Sequence, residues 1–297
     1  MGQYENSLGI DRPVIARVVT EDQRAVQRGQ EPGGVILQRQ GHTLAQSIAA
    51  EGVLYQSGIP FWIPPGDGGA NGLSLAADGT FTLSAESPIA SAFNFLVSGG
   101  YVYLPAGAGG LATGGWYWCK KTDGTNGQVF QETYSGTGQP AFVSSPTSFT
   151  GLTTGRITQV TSEIFGPSFT MPGGSSGPNG VTSFLLKWLT SSTAGNKAIR
   201  CRAGNAVFFH VLLTNTLNNQ IVKVSRINMG VENRQVGNRT NSASSAWDGG
   251  STSTTYSGDV TTLNTAVDQT VSFSGQLPAN TDSIIIVPMQ FTVQYGG

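Results

Sequence analysis

The chain has 297 residues, long enough for two domains and a sizeable core. Its 41 glycines and low charged fraction of 11% point away from a helical enzyme, toward an all-β, loop-rich protein. A formal net charge of −1 excludes a whole-chain electrostatic footprint for nucleic acid or anionic membrane.

Residues 1–54 differ in composition from the rest of the chain. Glu5, Asp11, Arg12, Arg17, Glu21, Asp22, Arg24, Arg28, Glu31 and Arg39 all precede Gly41. From there to Cys119 the chain carries no Lys or Arg. Such a step separates parts with different surroundings. Thr20-Glu21-Asp22-Gln23 and Thr43-Leu44-Ala45-Gln46 fit capping boxes, so short helices are expected near 21–28 and 44–51. Neither carries enough apolar residues to fold alone. The segment reads either as an anchoring arm that orders against a partner, with Arg12, Arg17, Arg24 and Arg28 as its contacts, or as a leader without fixed structure. Met1–Ile10 shows no secretory pattern, and no apolar run is long enough to span a membrane.

A middle β domain is expected over residues 55–165. Ile59–Pro65 is extended and proline-bounded. Leu73–Leu75 and Thr80–Leu83 flank the turn dipeptide Asp78-Gly79 as a hairpin. Strands are expected at Ala92–Val97, Tyr101–Leu104, Gly115–Cys119 and Gln128–Tyr134, with Asp123-Gly124 and Asn126-Gly127 turning the chain before the last. Gly107–Gly115 reads as a flexible loop rather than a phosphate cradle, because no Gly-Lys-Ser/Thr follows it. Gly136–Thr161 reads as loops or edge strands, with Phe142 and Phe149 as single anchors.

Residues 166–297 are expected to form an antiparallel β-sandwich of jelly-roll type. Gly177-Pro178-Asn179-Gly180 is turn chemistry throughout. Val181–Leu189 then puts Phe184, Leu186 and Trp188 on one face. Ala198–Gly204 alternates Ile199, Cys201 and Ala203 against Arg200 and Arg202, and Asn205 turns into Ala206–Leu213. Gln220–Met229, Thr270–Ser274 and the strictly alternating Ser283–Tyr295 complete the set. Asn233–Thr262 is polar and small apart from Trp247 and Tyr256, and reads as a long loop.

Candidate chemistry is sparse. Gly173-Gly174-Ser175-Ser176-Gly177 has the spacing of a nucleophile elbow, but Pro178 and Gly180 prevent the helix that motif requires. His42 lies in the polar leader, and His210 lies in an apolar strand as a core or interface residue. With two histidines and two distant cysteines, Cys119 and Cys201, no zinc site, no cofactor and no catalytic residue is assigned. Both cysteines read as buried thiols. Glu51, Glu86, Glu132, Glu163 and Glu232 show no local context that would raise a carboxyl pKa, so the expectation is that the protein is not an enzyme. Aromatic side chains remain. Trp247 and Tyr256 in the polar loop, and Trp116 in Gly115-Trp-Tyr-Trp-Cys119, are candidates for glycan or receptor contact, with burial in the core as the competing reading for Trp116.

In Tyr101-Val-Tyr-Leu-Pro-Ala-Gly-Ala-Gly-Gly-Leu-Ala112, Gly115-Trp-Tyr-Trp-Cys119, Gly177-Pro-Asn-Gly180 and Asn196-Lys197 with Ile199-Arg200, the chain resembles structural proteins of tailed bacteriophage particles. The resemblance covers about residues 60–297. It implies a virion component of fibre, decoration or baseplate type, anchored through its N-terminal arm to other virion proteins and projecting β domains outward. Such domains are often trimeric, and the charge-poor middle suits intimate contact between copies, so a homotrimer is expected. Two alternatives stand beside this reading: a receptor-binding protein recognising a host surface glycan, and a polysaccharide depolymerase. Neither nucleic acid nor membrane insertion is expected.

Overall fold

The computed structural model describes residues 52–66, 73–83, 92–158, 160–191, 195–213, 218–242, 263–279 and 281–296. The expected helices near 21–28 and 44–51, the arginines Arg12, Arg17, Arg24 and Arg28, and both Trp247 and Tyr256 lie outside the described residues. What is described is all-β, as the composition predicts.

The chain enters as β1 (Val53–Gln56) and continues as β2 (Phe61–Ile63), β3 (Leu73–Leu75) and β4 (Thr80–Leu83). After a short 3-10 helix at Ala92–Leu96 come β5 (Gly100–Leu104), β6 (Gly115–Lys121), β7 (Asn126–Tyr134) and β8 (Gly155–Arg156). The second half provides β9 (Ile164–Met171), β10 (Val181–Thr190), β11 (Lys197–Ala203), β12 (Ala206–Leu213), β13 (Asn218–Asn228), β14 (Gln235–Ser242), β15 (Gln269–Gln276) and β16 (Ile284–Gln294).

These strands make two sheets. One has 12 strands in the order β14-β13-β10-β16-β2-β5-β6-β7-β4-β3-β8, with β1 also paired to β16. The other has 4 strands in the order β12-β11-β15-β9. The small sheet covers the β1-β16-β10-β13 end of the large one. Aromatic rings from both sheets fill the space between them: Phe184 lies 5.9 Å from Phe208, 5.6 Å from Phe209 and 5.9 Å from Phe273, and Phe169 lies 5.0 Å from Phe291. Ring pairs at such separations add about 0.5–1.5 kcal/mol each beyond area burial. The chain passes between sheets at β9–β10, β10–β11, β12–β13, β14–β15 and β15–β16, and stays within one sheet at the β11–β12 and β13–β14 hairpins.

β16 joins the two halves of the chain. Ile284 and Ile286 point into the sandwich core, while Ile285 and Val287 point into a second core with Trp62, Leu73, Phe81, Val102, Cys119 and Val129. Both faces of this stretch are therefore buried, although the sequence alternation alone predicted one. One edge of β16 pairs with β2 at Ile284–Ile286 and with β1 at Gln290–Thr292. Pro288, which has no N–H to give, sits where β2 hands over to β1. Val53 and Leu54, assigned to the leader from sequence, belong to β1. The short β2 is also pinned through Ser283: Trp62 Nε1 donates to Ser283 Oγ at 2.9 Å, and Ser283 Oγ donates to the Ile63 carbonyl at 2.9 Å.

Asp78 and Asp123 act as turn residues as their chemistry predicts, whereas Asn126-Gly127, expected as a turn, begins β7. Asp78 accepts from the Thr80 N–H at 2.9 Å, and Asp123 from the Asn126 N–H at 2.9 Å, closing the β3–β4 and β6–β7 hairpins. Gly127 is required by packing, because a Cβ there would enter the Phe81 ring.

Three expectations need correction. Ala92–Val97 is not a strand. Its 3-10 helix lets Leu96 reach the second core while Asn94 stays outside and accepts from Lys121 Nζ at 2.8 Å. Gly107–Gly115 contains an ordered 3-10 turn, Ala108–Gly110, with Ala108 buried. Asn233–Thr262 is not loop throughout, since Gln235–Ser242 adds to the edge of β13 despite lacking an apolar stripe. Cross-strand hydrogen bonding does not require one.

Candidate functional site

The outward face of the four-stranded sheet carries a group of charged side chains, Glu163, Arg200 and Arg202. β11 turns Ile199, Cys201 and Ala203 inward, so Arg200 and Arg202 face out. Their neighbours are set by register. Arg200 pairs with Ser274 on β15 and with His210 on β12, and Ser274 pairs with Phe165 on β9. Phe165, Ser274, Arg200 and His210 thus form one row across all four strands.

Glu163, just before β9, ties the row together. Its carboxylate receives Arg202 in a fork, Nε to Oε1 at 2.9 Å and Nη2 to Oε2 at 2.7 Å, and the Ser274 hydroxyl donates to it as well. Arg200 Nη1 lies 3.7 Å from Glu163 Oε2 and donates to Gln276 Oε1 at 3.0 Å. The Arg202 fork, opposed only by partial burial, holds the Glu163 carboxyl below its ordinary range. Two guanidiniums against one carboxylate leave a single positive charge. Burial and then the Arg200 charge push the His210 imidazole below its usual value. Phe165 stands 50% exposed at the end of the row, with its carbonyl accepting from Trp116 Nε1 at 2.6 Å.

For His210 the core alternative of the sequence reading is overturned. Gly204-Asn205 makes a two-residue turn, and Ala203 pairs with Ala206. Continued without interruption, this register would set His210 opposite Ile199, on the core face. A bulge between Cys201 and Arg202 shifts it, so that Cys201 pairs with Phe209 and Arg200 with His210. Phe208 and Phe209 are both buried as a result, and the imidazole turns outward.

Trp116 is also corrected. It is 5% exposed and edge-on to Phe61 at 5.1 Å and Tyr103 at 5.3 Å. With its ring enclosed and its N–H committed to Phe165, it has no free face for a sugar. Tyr117, on the opposite side of β6, packs toward Phe149 at 5.8 Å.

The remaining chemical candidates resolve into structural roles. Ser175 and Ser176 are each 1% exposed, and Ser176 Oγ accepts from Asn228 Nδ2 at 3.0 Å. A Cβ at Gly180 would strike the Ser176 carbonyl, so the segment is a glycine-dependent turn rather than a strand–helix elbow. Cys119 and Cys201 are free and buried, and burial raises both thiols. At Glu132, burial works upward, but hydrogen bonds from Thr147 outweigh it and hold the carboxyl below its usual range. Among the described residues no three His, Cys, Asp or Glu side chains group to hold a metal ion, and no helix is long and apolar enough to cross a membrane.

A second polar group lies buried at the end of the sandwich. The two N–H groups of Asn228 Nδ2 are shared among Ser176 Oγ, the Gly177 carbonyl and Thr265 Oγ1, and its Oδ1 accepts from Gln235 Nε2 at 3.0 Å. Gln235 also donates to the Leu263 carbonyl at 2.8 Å and accepts from the Leu263 N–H at 3.1 Å. The network therefore joins the start of β14 to the strand-free return at Leu263–Thr265, fixing both ends of the intervening chain.

No family model matches the chain, and no curated protein or solved structure matches it either.

Proposed function

We propose that this chain is a structural component of a bacteriophage particle, of fibre or decoration type. The arm of residues 1–54 anchors it to other virion proteins, a middle β domain spans residues 55–165, and a jelly-roll sandwich spans residues 166–297. Three copies associate, and the projecting sandwich contacts the host surface. The strand order supports the jelly-roll reading. β1-β16-β10-β13 facing β9-β15-β11-β12 is the interleaving a jelly roll requires when β1 is its first strand and β2–β8 are inserted before its second. Jelly rolls recur in viral capsid and lectin domains.

The observation that carries the proposal is the surface of the β13–β14 hairpin. Ile227 is 46%, Met229 54%, Val231 48% and Val236 36% exposed, with Ile227 and Val236 directly paired. An apolar strip of that kind on a charge-poor protein suits contact with another copy or another virion subunit. Mass spectrometry of virions released by cells expressing the chain should find it in fixed ratio to the major capsid protein. Its absence from purified virions would refute the proposal.

A second reading, a receptor-binding protein for a surface glycan, is favoured by the Phe165–Ser274–Arg200–His210 row. It is compatible with the first and adds a ligand to it.

A further inference from the structure

We propose that the outward face of the β12-β11-β15-β9 sheet binds a saccharide bearing a carboxylate, with Arg200 taking the acid group. The inference rests on the host-contacting reading and names the ligand class for it.

Three features of the row favour this chemistry. Arg202 is saturated by Glu163, but Arg200 is not: one of its N–H groups goes to Gln276, and the rest of its fork has no hydrogen bond among the described residues. A guanidinium edge so held, on a rigid strand, matches one carboxylate in two parallel hydrogen bonds. Next, the half-exposed Phe165 ring lies two strands away, roughly 10 Å at the usual strand spacing, which a single sugar ring with its substituents spans. Finally, Ser272, opposite Arg202 and two positions from Ser274 on β15, supplies a hydroxyl beside Arg200 that suits a sugar hydroxyl, while Gln276, bonded to Arg200 and to the Thr161 carbonyl, holds the guanidinium in place. The net charge of the group is one positive unit. That fits a single carboxylate, whereas a phosphate monoester would call for more basic side chains.

The charged groups facing His210 are Arg200 and Arg202 on β11 and Glu163 before β9. A ligand carboxylate placed beside Arg200 adds a negative charge within reach of the imidazole and raises its pKa. Glu163 acts as an internal competitor, since its carboxylate already occupies one guanidinium and draws on the other.

The test uses the full-length chain with N-acetylneuraminic acid and glucuronic acid as probes and N-acetylglucosamine as the neutral control. Calorimetry should show saturable binding of at least one acid sugar and none of the neutral one. The imidazole proton of His210, assigned by its loss in His210→Gln, should titrate at higher pH when that sugar is bound. Arg200→Gln should weaken binding by about tenfold or more, the loss of one charge-assisted pair. Glu163→Gln should tighten binding several-fold, because it removes the negative charge that competes for both guanidiniums, and a merely structural role would not produce a gain. Equal binding of acid and neutral sugars, no binding of either acid, unchanged affinity in Arg200→Gln, or no gain in Glu163→Gln would each overturn the inference. Should Arg200→Gln fail to fold, the Glu163→Gln comparison decides alone. Acid-sugar binding by a chain that never enters a virion removes the virion reading and leaves this one. A virion component blind to acid sugars does the reverse.

Discussion

Asn228 offers the sharpest test of how the sandwich end is held. Its side chain is 4% exposed and donates to Ser176, Gly177 and Thr265 while accepting from Gln235. Asn228→Ala removes these bonds together. Gln235 keeps its bonds to Leu263 and Glu232, and Thr265 keeps its bond to Glu232, so those two groups lose little. The Gly177 carbonyl and the Ser176 hydroxyl lose their main partner inside a buried site. At about 1–3 kcal/mol for each stranded group, the expected loss is about 3 kcal/mol. Against a typical total of roughly 5–15 kcal/mol this is a large fraction, and it should read directly as a lower urea midpoint by tryptophan fluorescence. Asn228→Asp adds a pH signature. An ionised carboxylate would face the Gly177 carbonyl, so the folded-state pKa of the new acid rises above its unfolded value of about 3.9. Stability is then retained at low pH and lost as pH rises through the folded pKa. The deficit relative to the natural chain should therefore be largest at pH 7 and shrink toward pH 5. A loss below about 0.5 kcal/mol for the alanine variant, within the range of inconsequential surface changes, would refute this role for the network. So would a pH-independent deficit in the aspartate variant.

The same structure sets further outcomes. Phe184→Ala removes the ring that meets Phe208, Phe209 and Phe273 and should cost about 3–5 kcal/mol, while Phe142→Ala, 61% exposed, should stay within about 0.5 kcal/mol; denaturant midpoints compare them. Lys197 Nζ and Asp282 Oδ1 pair at 3.1 Å with side chains 1% and 0% exposed, so Lys197→Met alone should lose about 3–5 kcal/mol and the double change with Asp282→Leu should regain most of it in a thermal melt. Cys119 and Cys201 should resist a thiol reagent in the folded protein and both react in urea; reaction of either under native conditions would contradict their burial.

Where side-chain pattern and strand role coincide, the fold was legible from the residues. β10, with Phe184, Leu186 and Trp188 inward, and the hairpins at Asp78-Gly79 and Asp123–Asn126 stand as their chemistry predicts. Legibility failed where a neighbour rather than the segment itself decided the outcome. β14 is polar and forms because β13 offers an open edge. β16 is doubly buried because a second core, gathered from residues about two hundred positions earlier, closes on its other face. The parallel pairing of β2 with β5 leaves no local mark at all.

The candidate site divides in the same way. The alternation of Arg200 and Arg202 against small apolar residues announced an outward charged pair. Glu163, at the flank of β9, and Ser274 and Gln276, both on β15, meet the β11 arginines only through register. His210 was misplaced because a single bulged residue, invisible in composition, moves it across the sheet. Trp116 was ambiguous because strand position cannot say which face a later segment will cover, and here residues around Phe165 cover it.

A β scaffold that works as an assembled contact protein should hold together as a trimer once purified. Sedimentation equilibrium of the full-length chain addresses this most directly. The expected mass is about three times the 31.0 kDa of one chain, holding on dilution to low micromolar concentration. A species of 31.0 kDa at every concentration would contradict it.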